Sequence, residues 1–303
     1  MHIRALEFTS PIFNRFFNLG DDIQTVAVSR LLPKVDGYVC REALNQVDSE
    51  CIVPMNGFFM NTQNWPPSPK IRPVFFAFHV RPESVATIFS PEGIIYLKQW
   101  QPIGCRDTGT LELMHKHGIQ AYYSRCVTLT LPRREETPAE GEVFLVGVSE
   151  TARQALPRSL RKQAVVSDQA KVRLPITDTK IKLALAEELL SQYRQRARLV
   201  ITSKIHCAMP CIAMGIPVVF LYDTTKQNDY RVSIIKDLVG INYVHEHGFA
   251  ARLLNRRLSR KINWNPVALD IEPIKAEIRE QFALALQRVM SANENSAEKC
   301  DAL

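Results

Sequence analysis

Ser203, Lys204 and His206 stand close together between an apolar run and a proline-bearing segment. The run Leu199–Thr202 reads as a strand. Proline is tolerated in a helix only near its first turn, so Pro210 places a helix start around Cys207–Met209. Gly215 ends that helix and Pro217 prevents its continuation. The turn between strand and helix is thus at a strand's carboxyl end and a helix N-terminus, where open α/β sheets bind ligands. Unpaired N–H groups and a partial positive charge suit an anion there. Lys204 adds a full charge, and His206 can donate a hydrogen bond or carry a proton near neutral pH. The competing reading is a solvated Lys204 with His206 packed beneath the loop.

Other residues of chemical type form weaker patterns. His245-Glu246-His247 and the pair Cys207/Cys211 are metal-ligating types without a complete ligand set. The first reads as a polar loop and the second as helix core, so no metal is expected. His115 and His117 flank Lys116 and read as a solvated helix face. Asp21 and Asp107 are carboxylates in turns, where helix N-capping competes with catalysis.

A turn of this kind needs a parallel sheet to position it. The C-terminal half alternates strands (Val143–Val148, Ala164–Val166, Leu199–Thr202, Ile216–Tyr222) with helices (Thr151–Gln163, interrupted at Pro157, and Ile181–Ala197, patterned on Leu183, Leu185, Leu189, Leu190 and Tyr193). That alternation predicts a Rossmann-like unit. In the N-terminal half, Thr25–Leu32 and Thr108–His117 read as helices, and Glu50–Asn56, Pro73–His79 and Cys126–Leu131 as strands. The proline-rich stretch Asn64–Pro69 must be a loop. The charged segment Arg133–Pro138 reads as a linker. The expected fold is therefore α/β with two Rossmann-like domains facing a central cleft: 1–137 as an N-terminal domain, 138–270 as the ligand-binding domain, 271–290 as a closing helix (Pro273–Met290) and 291–303 as a disordered polar tail.

Composition bounds the function class. The chain has 303 residues, 46% hydrophobic, enough for two cored domains. A formal charge of +7 favours an anionic partner. Seven cysteines at irregular spacing fit reduced thiols. Neither an apolar run of about eighteen residues nor a signal-peptide pattern is seen, which predicts a cytoplasmic location. Nucleic acid is not expected as a partner, because the basic residues are dispersed and no recognised motif occurs. Arg194–Arg198 and Arg252–Lys261 interleave with leucines; the latter fits either a solvated helix face or an anionic bilayer.

Lys204-Ile205-His206, with Pro210, Ala213, Gly215, Pro217, Val218 and Val219 after it, resembles the (R/K)-(L/I)-H-x-x-x-P-x-x-A-x-G-x-P-V-V segment of the polysaccharide pyruvyl transferases. Lys204 stands where Arg is usual; it keeps the charge and loses the bidentate fork. Asn18-Leu19-Gly20-Asp21 is similar to the family's N-x-G-D turn, and Ile103–Thr110 to its (G/V)-x-R-D-x-x-(S/T) turn. The run from Asn56-Gly57-Phe58 through Ser124–Leu131 resembles one bacterial branch, which usually has Gly where Arg125 stands. The likeness spans roughly residues 10–240 and is also to the GT-B glycosyltransferase architecture.

The resemblance implies transfer of the enolpyruvyl unit of phosphoenolpyruvate onto two sugar hydroxyls, forming a ketal and releasing phosphate. No cofactor and no metal are implied; phosphoenolpyruvate is a substrate. Lys204, Ile205 and His206, with Ser203, would bind the donor, and Arg106 would oppose them from the other domain. His206 is the first choice for the acid that protonates the donor methylene, and Asp21 for the base. Asn18 and Gly20 enter through the N-x-G-D turn, and Arg231 as an acceptor contact. The acceptor would be a sugar, free in a polysaccharide or lipid-linked, with peripheral attachment to the inner face of the membrane. A nucleotide-sugar glycosyltransferase of the same architecture is the alternative enzyme, and a basic nucleic-acid-binding module the alternative without chemistry.

Overall fold

The computed structural model describes residues 1–8, 17–170 and 178–300. The chain divides into two compact units. The first comprises Met1–Asn14, Gln24–Thr130 and Glu272–Leu303; the second, Arg15–Ile23 and Leu131–Ile271.

The elements of the first half run β1 (His2–Glu7), α1 (Leu19–Ser29), β2 (Gly37–Cys40), β3 (Cys51–Pro54), β4 (Gly57–Phe59), β5 (Ile71–Val74), β6 (Phe78–Val80), α2 (Val85–Ile88), α3 (Pro91–Gln99), β7 (Ile103–Cys105), α4 (Thr108–Lys116) and β8 (Ala121–Tyr123). Two four-stranded sheets result, ordered β2-β1-β3-β5 and β4-β6-β7-β8. Every ladder in them is parallel. Both sheets bury aromatic and aliphatic side chains, as parallel strands require. The proline-rich loop delivers Trp65 into this core, within 6.0 Å of the Phe59 ring and 5.6 Å of Tyr96.

The expected strand Pro73–His79 is two strands, β5 and β6. Between them Ala77 turns to φ 54° and donates its N–H to Ser124 Oγ at 3.0 Å. Phe75, Phe76, Ala77 and Phe78 are all buried, so no periodicity marks the break. The expected strand Cys126–Leu131 is instead a 3₁₀ turn, Val127–Thr130. Thr130 Oγ1 donates to the Val127 carbonyl and Cys126 Sγ pairs with Thr128 Oγ1, local bonds that compete with a ladder. Arg125, just before, lies at φ 61°, the left-handed region glycine favours.

The second half runs β9 (Glu142–Val146), α5 (Arg158–Gln163), β10 (Val165–Ser167), α6 (Thr179–Arg196), β11 (Ala197–Thr202), α7 (Ile205–Ala213), β12 (Val218–Asp223), α8 (Ser233–Val239), β13 (Asn242–Val244), α9 (Ala251–Leu258) and α10 (Glu272–Cys300). Its single sheet is ordered β10-β9-β11-β12-β13 and is parallel throughout. Numbered from its own first strand, the order is 2-1-3-4-5, a doubly wound α/β sheet of Rossmann-like kind with its switch point between β9 and β11. No helix among the described residues is long and apolar enough to cross a membrane.

Two boundaries differ from expectation. The units part at Thr130/Leu131 rather than near Pro138, because Arg134 is already tied in, its Nη1 donating to the Ala197 carbonyl at 2.6 Å. The helix expected to end at Met290 continues to Cys300, so Ser291–Cys300 is helical rather than a coil tail, and 301–303 of the expected tail lie outside the described residues. It belongs to the first unit, where Phe282 packs edge-on against Phe76 with centroids 5.3 Å apart. Phe282→Ala should lower the unfolding free energy by about 3–5 kcal/mol, read as an earlier urea transition of the first unit.

Candidate functional site

The switch point of the second unit is built from the chain segments that follow β9 and β11. Thr202, at the end of β11, donates through Oγ1 to the Val146 carbonyl and accepts the Lys204 N–H, each at 2.9 Å. Ser203 Oγ donates to the Gly147 carbonyl. Gly147 sits at φ 61°, and a Cβ there would lie 2.2 Å from Lys204 Cε and 2.8 Å from Cγ. The Lys204 stem therefore runs across a bare glycine backbone just past the carboxyl end of β9.

α7 begins at Ile205 with His206 off the helical path (φ −83°, ψ 20°). Pro210 explains this. It has no N–H to give the carbonyl four residues back, which is that of His206. Gln169 Nε2 supplies the missing hydrogen bond to the His206 carbonyl at 3.0 Å. The Gln169 carbonyl in turn accepts the Leu19 N–H at 2.9 Å. One residue after β10 thus joins the start of α7 to the start of α1.

The start of α1 is shaped to fit. Asn18 caps it, its Oδ1 accepting the Gly20 N–H at 3.0 Å. A Cβ on Gly20 would lie 3.0 Å from Gln169 Nε2 and 3.1 Å from His206 Cβ. Gly20 is therefore the residue that lets the helix end approach His206. Asp21 follows, buried in the first turn of α1 rather than capping it. Asp22 pairs with Lys182 of α6 at 3.5 Å, both side chains 2% exposed. Removing either alone would leave a buried charge.

Of the sequence-derived candidates, Ser203, Lys204, Ile205, His206, Asn18, Gly20 and Asp21 thus fall within the second unit, and Gly20 meets His206 directly. The N-x-G-D segment, expected in the N-terminal domain, belongs to residues Arg15–Ile23 of the second. The reason is local: the Leu19 N–H is held by Gln169 and the Gly20 surface by His206. Gln169 and Gly147 were not singled out from sequence. Gly147 had a signal, a glycine directly after an apolar run; Gln169 had none.

Arg106 lies in the first unit and is buried, its Nε 3.5 Å from Asp107 Oδ2. Asp107 caps α4 through the Thr110 N–H at 2.9 Å and pairs with buried His79 Nδ1 at 2.6 Å. Burial alone would raise the Asp107 pKa; the His79 bond, the Arg106 charge and the Thr110 N–H hold it below the ordinary carboxylate range. His79 is a further polar residue that its apolar strand neighbours concealed.

Arg231 is engaged by its own neighbours. Its guanidinium binds the Asp229 carboxylate, and Tyr222 donates to Asp229 Oδ2 at 2.6 Å. Burial opposes ionisation of Asp229, but the bonds from Arg231 and Tyr222 outweigh it and bring its pKa down to about 2. Among the described residues, Glu246 and His247 fall with Asp223, their ligand atoms within 4.8 Å of one another. Asp223 is occupied by Thr225, whose N–H and Oγ1 donate to it at 3.1 and 2.7 Å. Cys207 and Cys211 are buried in α7, and burial pushes the Cys211 thiol well up.

Fold and site together define an α/β protein with a doubly wound parallel sheet whose switch point gathers Ser203, Lys204 and His206 beside the start of α1. The polysaccharide pyruvyl transferase profile matches residues 65–224, more than half of the chain, and the chain belongs to that family. None of the curated proteins matches it. A solved Klebsiella pneumoniae protein described as uncharacterised in function aligns over 80% of this chain and 92% of its own, at 10% identity and a TM-score of 0.45.

Two outcomes test this geometry. Gln169→Leu keeps the backbone contact to Leu19 and removes the bonds of its side chain to the His206 carbonyl and from Tyr193, which should cost about 1–3 kcal/mol in chemical denaturation. Asp229 has its folded pKa below its unfolded value, so the pair with Arg231 stabilises above about pH 4 and that gain fades as pH falls toward about 2. Arg231→Ala should therefore destabilise by about 1 kcal/mol at neutral pH and by little near the acid end, as read from unfolding curves at the two pH values.

Proposed function

We propose that this protein transfers the enolpyruvyl unit of phosphoenolpyruvate onto two hydroxyls of a sugar, in a polysaccharide or its lipid-linked precursor, with release of phosphate. The observation that carries the reading is the convergence of Lys204, Ser203, His206 and the capped start of α1 on the switch point between β9 and β11. Family membership supports the transferase class. We take the two units as the halves of a GT-B-type architecture as part of the same reading.

The donor carries a carboxylate and a phosphate, and both need cationic or helix-terminal partners. Lys204, with the Ile205 N–H at the start of α7, takes one of them, while Ser203 shapes the turn through its bonds to Val146 and Gly147, and the buried Arg106 is a cation of the first unit. Lys204 binds as a point charge, so the orientation of the anion falls to the N–H groups at the start of α7. His206 gives a proton to the donor methylene carbon, leaving the neighbouring carbon electrophilic. The first sugar hydroxyl adds to that carbon and its proton passes to Asp21. The second hydroxyl displaces phosphate, and its proton leaves with the phosphate. One carbon gains a proton, two oxygens lose one each, and two C–O bonds replace one. Gln169 is a positioning residue, holding His206 through its carbonyl, and Asn18 and Gly20 place the Asp21 turn against it. Arg231, committed to Asp229, is left to orient the acceptor only through whatever face that ion pair exposes.

The test combines binding and turnover. Calorimetry should detect phosphoenolpyruvate and not nucleotide sugars; the opposite pattern would assign a glycosyltransferase. Lys204→Ala and His206→Ala should each reduce phosphate release with a lipid-linked sugar acceptor by at least about a hundredfold without changing the thermal midpoint by more than a few degrees. Near-normal turnover in either variant would remove its residue from the mechanism, and mass detection of the added pyruvyl group reports the product.

A further inference from the structure

One buried side chain sets the outward face of α9. Asn255 accepts the His245 N–H at 2.9 Å and donates through Nδ2 to the Thr151 carbonyl at 2.9 Å and the His245 carbonyl at 2.8 Å. Ala251, one turn earlier, is buried on the same side, and Leu258 packs on the core of the second unit. The helix is therefore fixed in rotation. Arg252, Leu253, Leu254, Arg256 and Arg257 are left exposed, the two leucines at 53% and 38%. Phe249, in the loop leading into the helix, is fully exposed. Arg260 and Lys261 extend the same run and are also exposed.

Large apolar side chains held in water by a fixed scaffold call for a covering partner. The charge around them says which. No acidic residue occurs from His247 to Leu269, while the segment carries five lysines and arginines. Apolar tips ringed by long cationic side chains match an anionic interface: the ring and leucines enter the acyl boundary and the guanidinium groups stay at headgroup level. We propose that Phe249 and the outer face of α9 dock on an anionic phospholipid bilayer. This goes beyond the catalytic reading, since it requires neither donor nor turnover.

Flotation of the intact protein with vesicles tests it. Wild type should float with phosphatidylcholine vesicles containing phosphatidylglycerol, remain unbound with phosphatidylcholine alone, and be released by rising salt. Phe249→Ser with Leu253→Ser should lower partitioning at least about tenfold, and Arg252→Glu with Arg256→Glu should abolish the salt-sensitive component. All four positions are exposed, so thermal midpoints should match wild type. No wild-type binding to the anionic vesicles, equal binding to neutral ones, or unchanged binding in both double variants would overturn the proposal. So would a dimer, formed without vesicles, that the Phe249/Leu253 variant dissociates; that result would give the face to a second copy of the chain. Donor binding by calorimetry is read separately, so either conclusion can fail while the other stands.

Discussion

Pro210 deprives the His206 carbonyl of its helical partner, and Gln169 takes that partner's place. Much of the second unit's site follows from this exchange. A carbonyl left orphaned in a half-buried turn is costly, so Gln169 must be presented at that spot by the end of β10. Its own carbonyl then accepts the first amide of α1. Because the helix end comes so near, the residue that meets His206 has to be Gly20. The deviation of His206 from helical geometry is thus stabilised from outside its own helix, by a residue from another βα connection.

The parallel sheet supplies the second constraint. A 2-1-3-4-5 strand order sends the connections after β9 and β11 to opposite faces, which opens a space between their carboxyl ends. Gly147 and Ser203 line that opening, and the Lys204 stem can cross it only because Gly147 lacks a side chain. In the first unit a comparable role falls to Asp107, which gathers His79, Arg106 and the first turn of α4 around one carboxylate. Three charged or titratable side chains share that buried place because their charges and hydrogen bonds offset one another's desolvation.

Much of this was legible in the sequence where geometry is local. Pro210, Gly215 and Pro217 located a strand, a turn and a helix around Lys204 and His206, and β11, α7 and β12 stand there. Asp107 as a cap was equally readable, since capping needs only the next three residues. What was not legible depends on distant partners. Nothing near Gln169 indicates Pro210, and nothing near Asn18 indicates that its helix begins in the second unit. α6 shows the same limit: of the expected Leu183, Leu185, Leu189, Leu190 and Tyr193, Leu190 and Tyr193 are buried, and the residues that complete the buried stripe are Lys182 and Ala186 rather than the other leucines. A lysine reads as solvent-facing unless its counterion is known, and Asp22 is far away in sequence. Conversely, the β-branched richness of Cys126–Leu131 reflects burial, which a 3₁₀ turn shares with a strand.

The discontinuity of the two units has a consequence for how the chain is made. The second unit needs its first contribution from residues emerging before β2, and the first unit is completed only by α10, which is translated after the whole of the second unit. During synthesis, then, the early strands must wait with one hydrophobic face unfilled at Phe76 until Phe282 arrives. No single cut yields either unit whole. A truncated fragment starting at Leu131 would lack the end of α1 against which Gln169 and His206 are set, and one stopping at Thr130 would expose the surface that α10 covers.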